Sequence, residues 1–271
     1  MKLAFLGAGN MAGAMIQSIL AAGVLQGDEI LCVNARNPEH GRETAARLGI
    51  TAAEPAALSG ADGVVFAMKP QAFAAAAGMY RQYLKKGQLV LSIMAGISFA
   101  KLQKELGALP FIRVMPNMGV GVRRGVTGYA VGVGVSQAQA AFAEKLLAAG
   151  GMVIRLQNEA EIAKVIGVAG SSPAYFCLML EALAGAAVRD GMEPEAAAAF
   201  ARETFVGTAE ILKAEPELSP EALRARISSK KGTTEAAVEA MCGAGFAPAV
   251  AVGYMRAVQK SDAMTAAFDA E

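Results

Sequence analysis

The chain has 271 residues, enough for one large domain or two modest ones with separate cores. Its 25 basic and 24 acidic residues nearly cancel and no stretch concentrates lysine or arginine, so we expect no nucleic-acid partner. The longest uncharged runs are broken by glycine, serine, glutamine or proline, which predicts no membrane span. Cys32, Cys177 and Cys242 lack metal-site spacing, so we expect no metal and three buried, reduced thiols in a cytoplasmic protein.

The first half of the chain alternates short apolar runs with helix-like segments. Buried strands are predicted at 2–7, 29–34, 63–68, 88–93 and 110–115, with helices after the first two ending near Ala22 and Gly49. Two further strands, at 125–133 and 151–156, flank a predicted helix at 137–149. Continuous apolar strands with helices between them are typical of a parallel sheet covered on both faces. We therefore predict an α/β fold, a Rossmann-type doubly wound and mainly parallel sheet, over residues 1–158.

Strand patterns end near residue 158. Alanine-rich segments of helical length follow, and glycine or proline separates them at Gly191, Pro194, Pro216 and Pro220. This pattern predicts an all-helical domain over residues 159–271 that packs tightly or forms a subunit interface.

The turn after the first strand carries the motif G-x-G-x-x-A, with Gly7, Gly9 and Ala12 at its fixed positions. The first glycine permits a sharp turn, and the second lets backbone amides approach a pyrophosphate at the start of the following helix. Because the motif lies in the required strand–turn–helix context, it predicts a dinucleotide site that includes Asn10 and Met11. The alternative is a glycine-rich structural turn.

The end of the second strand indicates which dinucleotide is bound. NAD sites usually carry an acidic residue there, which accepts hydrogen bonds from the ribose. This chain has Asn34, Arg36 and Asn37 instead, and a guanidinium can pair with a 2′-phosphate. We expect NADPH, with NADH as the alternative if Arg36 is only a solvated loop charge.

Six segments together resemble pyrroline-5-carboxylate reductase, the enzyme family that makes proline from its cyclic imine. They occur in the family's order and cover nearly the whole chain: "GAGNMA", "FAMKPQ", "SIMAGIS", "RVMPNMG", "AGSSPAYF" and "SSKKGTT". The chain departs from the family's usual pattern at Glu54, Met118-Gly119, Ser172 and Lys230-Lys231.

The resemblance implies roles for several residues. Met68, Lys69 and Pro70 would line the cofactor, and Ala95 and Gly96 would lie by the nicotinamide. Asn117 would bind the cofactor at the mouth of the cleft, and Ser171 and Ser172 would bind the substrate at a helix bend. The alternatives are a helix-start charge for Lys69 and a turn residue for Asn117. The resemblance also implies a homodimer through the helical domains, extending to a larger ring, in which one subunit's nucleotide domain meets its partner's late loop.

That late loop, "SSKKGTT", suits a substrate carboxylate, because backbone amides at a helix start bind anions. Gly232 allows close approach, Thr233 and Thr234 offer hydroxyls, and Lys231 is included as a binding residue. The alternatives for Lys230 and Lys231 are a solvated role without substrate contact and attraction of an anionic substrate by charge. By resemblance, Thr234 would be the catalytic residue that bonds the ring nitrogen. The alternative is that one threonine simply caps the helix.

Reduction of a protonated cyclic imine needs positioning beside a hydride donor and no metal or covalent nucleophile. That chemistry suits a chain with a single histidine, His40. We therefore predict an NADPH-dependent pyrroline-5-carboxylate reductase acting on a small cyclic imino acid. The alternatives are a reductase of another cyclic imine or of a small 2-oxo or hydroxy acid, and a non-catalytic dinucleotide-binding paralogue.

Overall fold

An eight-stranded sheet dominates the first part of the chain in the computed structural model, which describes residues 1–271. The strands are β1 (Leu3–Leu6), β2 (Ile30–Val33), β3 (Thr51–Ala52), β4 (Gly63–Phe66), β5 (Leu89–Ser92), β6 (Phe111–Pro116), β7 (Gly125–Val131) and β8 (Gly151–Arg155). Their order across the sheet is β3-β2-β1-β4-β5-β6-β7-β8. Neighbouring strands are parallel except for the antiparallel pair β6 and β7.

Helices cover both faces of this sheet. They are α1 (Asn10–Ala21), α2 (Pro38–Leu48), α3 (Phe73–Tyr80), α4 (Phe99–Leu106) and α5 (Gln137–Ala148). One buried cluster joins β-strand side chains to α1 and α5, and a second joins the opposite face to α3 and α4. The predicted doubly wound sheet is therefore confirmed. We did not predict β3, which has only two exposed residues and so carries no apolar run.

The chain from residue 159 onward is helical after a last short loop, as predicted. Its helices are α6 (Glu161–Val165), α7 (Ser172–Arg189), α8 (Pro194–Ala214), α9 (Pro220–Ile227), α10 (Thr233–Gly243) and α11 (Phe246–Ala270), with a π-helical turn at Ile166–Gly170 between α6 and α7. By length and composition alone, residues 161–189 could cross a membrane, and so could α10 and α11 if that pair, bent by 52°, formed one span.

The chain divides into two compact units, residues 1–171 with 256–271, and residues 172–255. The predicted boundary at residue 158 falls inside the first unit, because α6 packs against the sheet. Ile162 joins a buried cluster with Met115 of β6 and Ala130 of β7. Gly128 of β7 lies so close to Val165 that an added Cβ would be 2.8 Å from its side chain.

The expectation of three buried cysteines is wrong for two of them. Cys32 in β2 is buried, and burial raises the pKa of its thiol. Cys177 and Cys242 are exposed, because they lie on α7 and α10, neither of which buries any residue.

Candidate active site

The carboxyl ends of the parallel strands meet at one edge of the sheet. The strands are in register there: Leu6 of β1 pairs with Val33 and Phe66, and Phe66 pairs with Ser92. The turns that follow β1, β2, β4 and β5 therefore lie side by side. Strand order reverses between β1 and β4, and in open α/β sheets ligands bind outside the carboxyl ends at such a point.

The β1–α1 turn has the geometry of a pyrophosphate cradle. Gly7 has φ +94°, and an added Cβ would lie 3.1 Å from the carbonyl oxygen of Ala67, so only glycine fits. Gly9 is the N-cap of α1, provides no side-chain cap, and has open space where a Cβ would stand. The first helical bond runs from Gly13 N to Gly9 O (2.9 Å), so the preceding amides, including those of Asn10 and Met11, have no acceptor within the helix. These donors can hold an anion.

The turn after β2 is held by its own amide side chains. Asn34 Oδ1 accepts from the backbone of Asn37 (3.1 Å), and Asn37 Oδ1 caps α2 by accepting from His40 N (3.0 Å). Tyr80 of α3 accepts from the backbone of Ala35 at 2.9 Å, and burial raises the pKa of its phenol. The three residues predicted to select the cofactor therefore lie in a turn that hydrogen bonds hold in place, and the Arg36 side chain is exposed there.

A cavity of about 130 Å³ lies at this turn. Its charged lining residues are Arg42 of α2 and Glu54, which follows β3, and Asn34 contributes an amide. Arg36 is not among the lining residues. The structure therefore adds an arginine and a carboxylate to the predicted set at the second strand.

The loops after β4 and β5 complete this edge of the sheet. Met68 packs against the core cluster on the α3 and α4 side, and Lys69 is the exposed N-cap of a short 3-10 turn, Pro70–Ala72. Ala95 is half-buried, whereas Gly96 is buried and has φ +79°.

Asn117, after β6, uses its whole side chain to join three segments. Its Oδ1 accepts from the backbone amides of Gly119 (3.1 Å) and Val126 (3.3 Å). Its Nδ2 donates to the carbonyl of Ala169 (3.2 Å), inside the π-helical turn. These three bonds make Asn117 a structural junction, which agrees with the turn-residue alternative. Ser171 ends the first of the two stretches that form the first unit, and its amide donates to Ile166 O at 2.8 Å. Ser172 begins α7.

The late loop in the second unit is a tight turn into α10. Gly232 donates to Ser229 O at 2.9 Å, and an added Cβ at Gly232 would lie 2.9 Å from that same oxygen, so a side chain does not fit. Lys231 adopts φ +60°, and its amide donates to Glu235 Oε2 at 2.6 Å. Glu235 therefore holds the turn from the first turn of the helix.

Neither threonine caps α10. The N-cap is Gly232, and neither Thr233 nor Thr234 makes a side-chain hydrogen bond within the chain. The first helical bond is from Ala236 N to Gly232 O (3.2 Å), so the amides of the first helical residues have no acceptor in the helix. Two hydroxyls and a set of amides are therefore free to bind an anionic ligand. Thr234 also lines an apolar cavity of about 200 Å³ with residues of α8 and α9.

Known proteins match nearly the whole chain. Residues 159–264 match the family model for pyrroline-5-carboxylate reductase dimerisation, and residues 2–96 match the model described as NADP oxidoreductase coenzyme F420-dependent. A pyrroline-5-carboxylate reductase of Pseudomonas aeruginosa is 36% identical over 267 residues, covering 96% of this chain and 95% of that protein. The chain belongs to the pyrroline-5-carboxylate reductase family.

Solved structures agree with this family assignment. The pyrroline-5-carboxylate reductase of Coxiella burnetii superposes with a TM-score of 0.89 at 29% identity, over 97% of this chain and 98% of that one. That of Plasmodium falciparum, determined with NADP bound, has the same fold, with a TM-score of 0.84 at 23% identity over 98% of both chains. The predicted family and fold are confirmed, and the helical part from residue 159 carries the family's dimerisation domain.

Sequence reasoning missed several residues that shape these sites. Arg42 lies six residues after Arg36 and reaches the cavity only because α2 begins at Pro38 and carries it there. Glu235 could have been found, since an acidic residue three positions after a helix start is a capping signal. Tyr80 gave no signal, because it contacts the β2 turn from a helix 45 residues away.

Proposed function

We propose that this protein reduces 1-pyrroline-5-carboxylate to L-proline with NADPH, the last step of proline synthesis, in the cytoplasm. The observation that carries the proposal is the family match over 96% of the chain to a relative of nearly equal length. The free donors at the starts of α1 and α10 provide the two anion sites that such a reaction needs, one for a pyrophosphate and one for a substrate carboxylate.

NADPH would be held by the amides after Gly9, with Asn34, Arg36 and Asn37 at its adenosine end and Arg42 as an added cation. The residues present fit this cofactor, because an open glycine cap offers anion donors and two arginines flank the β2 turn. The bound cofactor supplies a hydride. The Lys69–Pro70 and Ala95–Gly96 loops would border its nicotinamide end, where they exclude water and orient the ring.

The late loop would hold the substrate. The backbone amides of Thr233 and Thr234 would bind the carboxylate, with Gly232 allowing its close approach. The Thr234 hydroxyl would hydrogen-bond the ring nitrogen and keep its proton in place while the imine carbon accepts the hydride. Lys231 adds positive charge beside an anionic substrate, and Ser171 and Ser172 lie at the start of α7 as further substrate contacts. No metal is needed, because the protonated imine is already electrophilic.

We further propose that two copies associate through the helical domain, with a larger ring as a further assembly. All 18 residues of α7 are at least partly accessible, and Leu178 and Leu183 are 66% and 56% exposed. Large apolar side chains left exposed along a whole helix are typical of a subunit interface. Light scattering under assay conditions should give a dimer or larger, and a monomer would contradict the proposal.

The decisive assay mixes the protein with pyrroline-5-carboxylate and NADPH or NADH, and follows cofactor absorbance together with proline formation. Turnover should be faster with NADPH, and absence of turnover with both cofactors would refute the function. A parallel screen with other cyclic imines and small 2-oxo acids tests the alternative substrates.

The matched site test compares two threonines that line the same cavity. Thr234→Ala should lower kcat about 10- to 100-fold, the loss of a hydrogen bond to a charged group, and Thr234→Ser should restore much of it. Thr208→Ala is the control, because the Thr208 hydroxyl already donates to Thr204 O at 2.8 Å. Equal rates for Thr234→Ala and Thr208→Ala would remove Thr234 from the mechanism.

A further inference from the structure

The last turn of α11 covers the loop between β5 and α4. In that loop Gly96 has φ +79°, and an added Cβ would lie 3.1 Å from Cδ2 of Phe268 and 3.2 Å from Cβ of Met264. Phe268 also packs against the buried cluster on the α3 and α4 side of the sheet. A side chain at position 96 would therefore crowd α11 and would also strain the backbone at this positive φ, whereas glycine allows the close contact.

A hydrogen bond ties the same two segments. Ser98 is 5% exposed and caps α4, its Oγ accepting from Lys101 N at 2.9 Å. The same Oγ donates its proton to Asp269 Oδ1 at 2.5 Å. The Ser98 hydroxyl therefore both accepts and donates a hydrogen bond, and its orientation depends on Asp269.

A second carboxylate holds the start of α4 from another direction. Glu159 Oε1 accepts from Phe99 N (2.6 Å) and from Arg113 Nη1 of β6 (2.8 Å). Negative charge at a helix start is stabilising, since the amides there carry partial positive charge. The loop that precedes α4 is thus held at two points. Asp269, through Ser98, and Glu159 hold its end, and Phe268 packs against it at Gly96.

We propose that Phe268 and Asp269 are positioning residues for hydride transfer, because they fix the loop that carries Ala95 and Gly96 at the nicotinamide end of the cofactor site. This inference rests on the proposed function. Both residues lie beyond residue 264, where the match to the family's dimerisation model ends. They act through the loop, and neither needs to touch the cofactor.

The effect should fall on the chemical step. Loosening the loop by a fraction of an ångström changes the approach of the transferred hydride, and misplacements near 1 Å can cost about 100-fold in rate. We expect Asp269→Ala to lower kcat about three- to tenfold. The KM for NADPH should change less than twofold, because the amides at the start of α1 are untouched.

The experiment compares Asp269→Ala, Asp269→Asn and Phe268→Ala with the control Asp262→Ala. Asp262 lies on α11 like Asp269, and both residues line a cavity of about 430 Å³. Unlike Asp269, Asp262 makes no hydrogen bond or ion pair. The readouts are kcat, the KM for NADPH, the thermal midpoint, and the isotope effect with NADPH deuterated at the transferred C4 position. A lower kcat and a larger isotope effect in Asp269→Ala, with recovery in Asp269→Asn and neither change in Asp262→Ala, support the proposal.

Equal kinetics in Asp269→Ala and Asp262→Ala would overturn it. So would a loss of kcat that matches the fraction unfolded, with an unchanged isotope effect, since that indicates only lower stability. If the wild-type protein does not turn over pyrroline-5-carboxylate, the proposed function fails by itself. The loop contact is then judged by the fluorescence of bound NADPH, and identical emission from Asp269→Ala and Asp262→Ala would overturn it separately.

Discussion

Lys231 has a backbone conformation that ordinary residues rarely adopt. Its φ is +60°, in the left-handed region, which costs an L-residue about 1–2 kcal/mol. Glycine avoids that cost, but it also gives the unfolded chain more conformational entropy, which lowers the free energy of unfolding by about 0.4–1 kcal/mol. Lys231→Gly should therefore raise the free energy of unfolding by about 0.5–1 kcal/mol.

Lys230→Gly is the matched control. It removes the same charge and the same side chain from the neighbouring position, where φ is not positive. Glycine there brings only its entropic cost, so unfolding free energy should fall by about 0.5–1 kcal/mol. The two variants should thus differ by about 1.5 kcal/mol, roughly tenfold in the unfolding equilibrium.

Urea unfolding at one fixed protein concentration measures this difference, because association also stabilises the folded state. The slope of free energy against urea should be the same in both variants. If Lys231→Gly is no more stable than Lys230→Gly, the strain at Lys231 is not real.

The same pair tests whether the loop attracts substrate by charge. If Lys231 draws the anionic substrate in, Lys231→Gly should raise the substrate KM most at low ionic strength, because salt screens exposed charges. An increase that does not depend on salt would rule out attraction at a distance and favour a local change in the turn.

Three further predictions concern the first unit. Asn117→Asp keeps the acceptor but cannot donate to Ala169 O, so unfolding free energy should fall by about 1–3 kcal/mol. The Kd of the Asn117→Asp variant for NADPH, measured by fluorescence, should equal that of the wild type. A tenfold increase in this Kd would instead make Asn117 a cofactor ligand. Burial raises the pKa of Tyr129 to about 12, and its hydrogen bond with Glu144 is the second cause. The protonated phenol therefore contributes stability that is complete below pH 10 and is lost as the pH rises through 12. Urea unfolding against pH should therefore show a steeper decline in the wild type than in Tyr129→Phe, and parallel curves would contradict the shift. Arg36→Ala and Arg42→Ala should each raise the KM for NADPH about 10- to 100-fold and leave that for NADH unchanged. The arginine whose loss changes neither KM does not bind the 2′-phosphate.

The sheet was predictable because its strands are short, continuous and apolar, and turn residues punctuate them. The glycine turn was equally clear, since Gly7 and Gly9 need a fixed spacing after a strand. The local pattern could not show that the Asn117 side-chain amide donates to the carbonyl of Ala169, 52 residues later in the chain. Nor could it show that Lys231 takes a left-handed conformation, since a lysine gives no signal for positive φ.

The helical part was predictable in type but not in exposure. Alanine-rich segments with proline at their starts indicate helices, and Pro194 and Pro220 begin α8 and α9. The sequence pattern could not show that α7 buries no residue, because apolar side chains look alike whether they face a core or a second chain. Cys177 was misjudged as buried for the same reason.

The first unit is assembled from two stretches of chain, residues 1–171 and 256–271, with the second unit between them. During synthesis the amino-terminal strands leave the ribosome first and can pair early, as domains generally fold in the order of translation. Phe268 and Asp269 emerge only after all of α7–α10. The contacts that fix the β5–α4 loop therefore form only after these residues have emerged, so a nascent chain that can already form its sheet would still lack the fixed loop that we propose for the nicotinamide end.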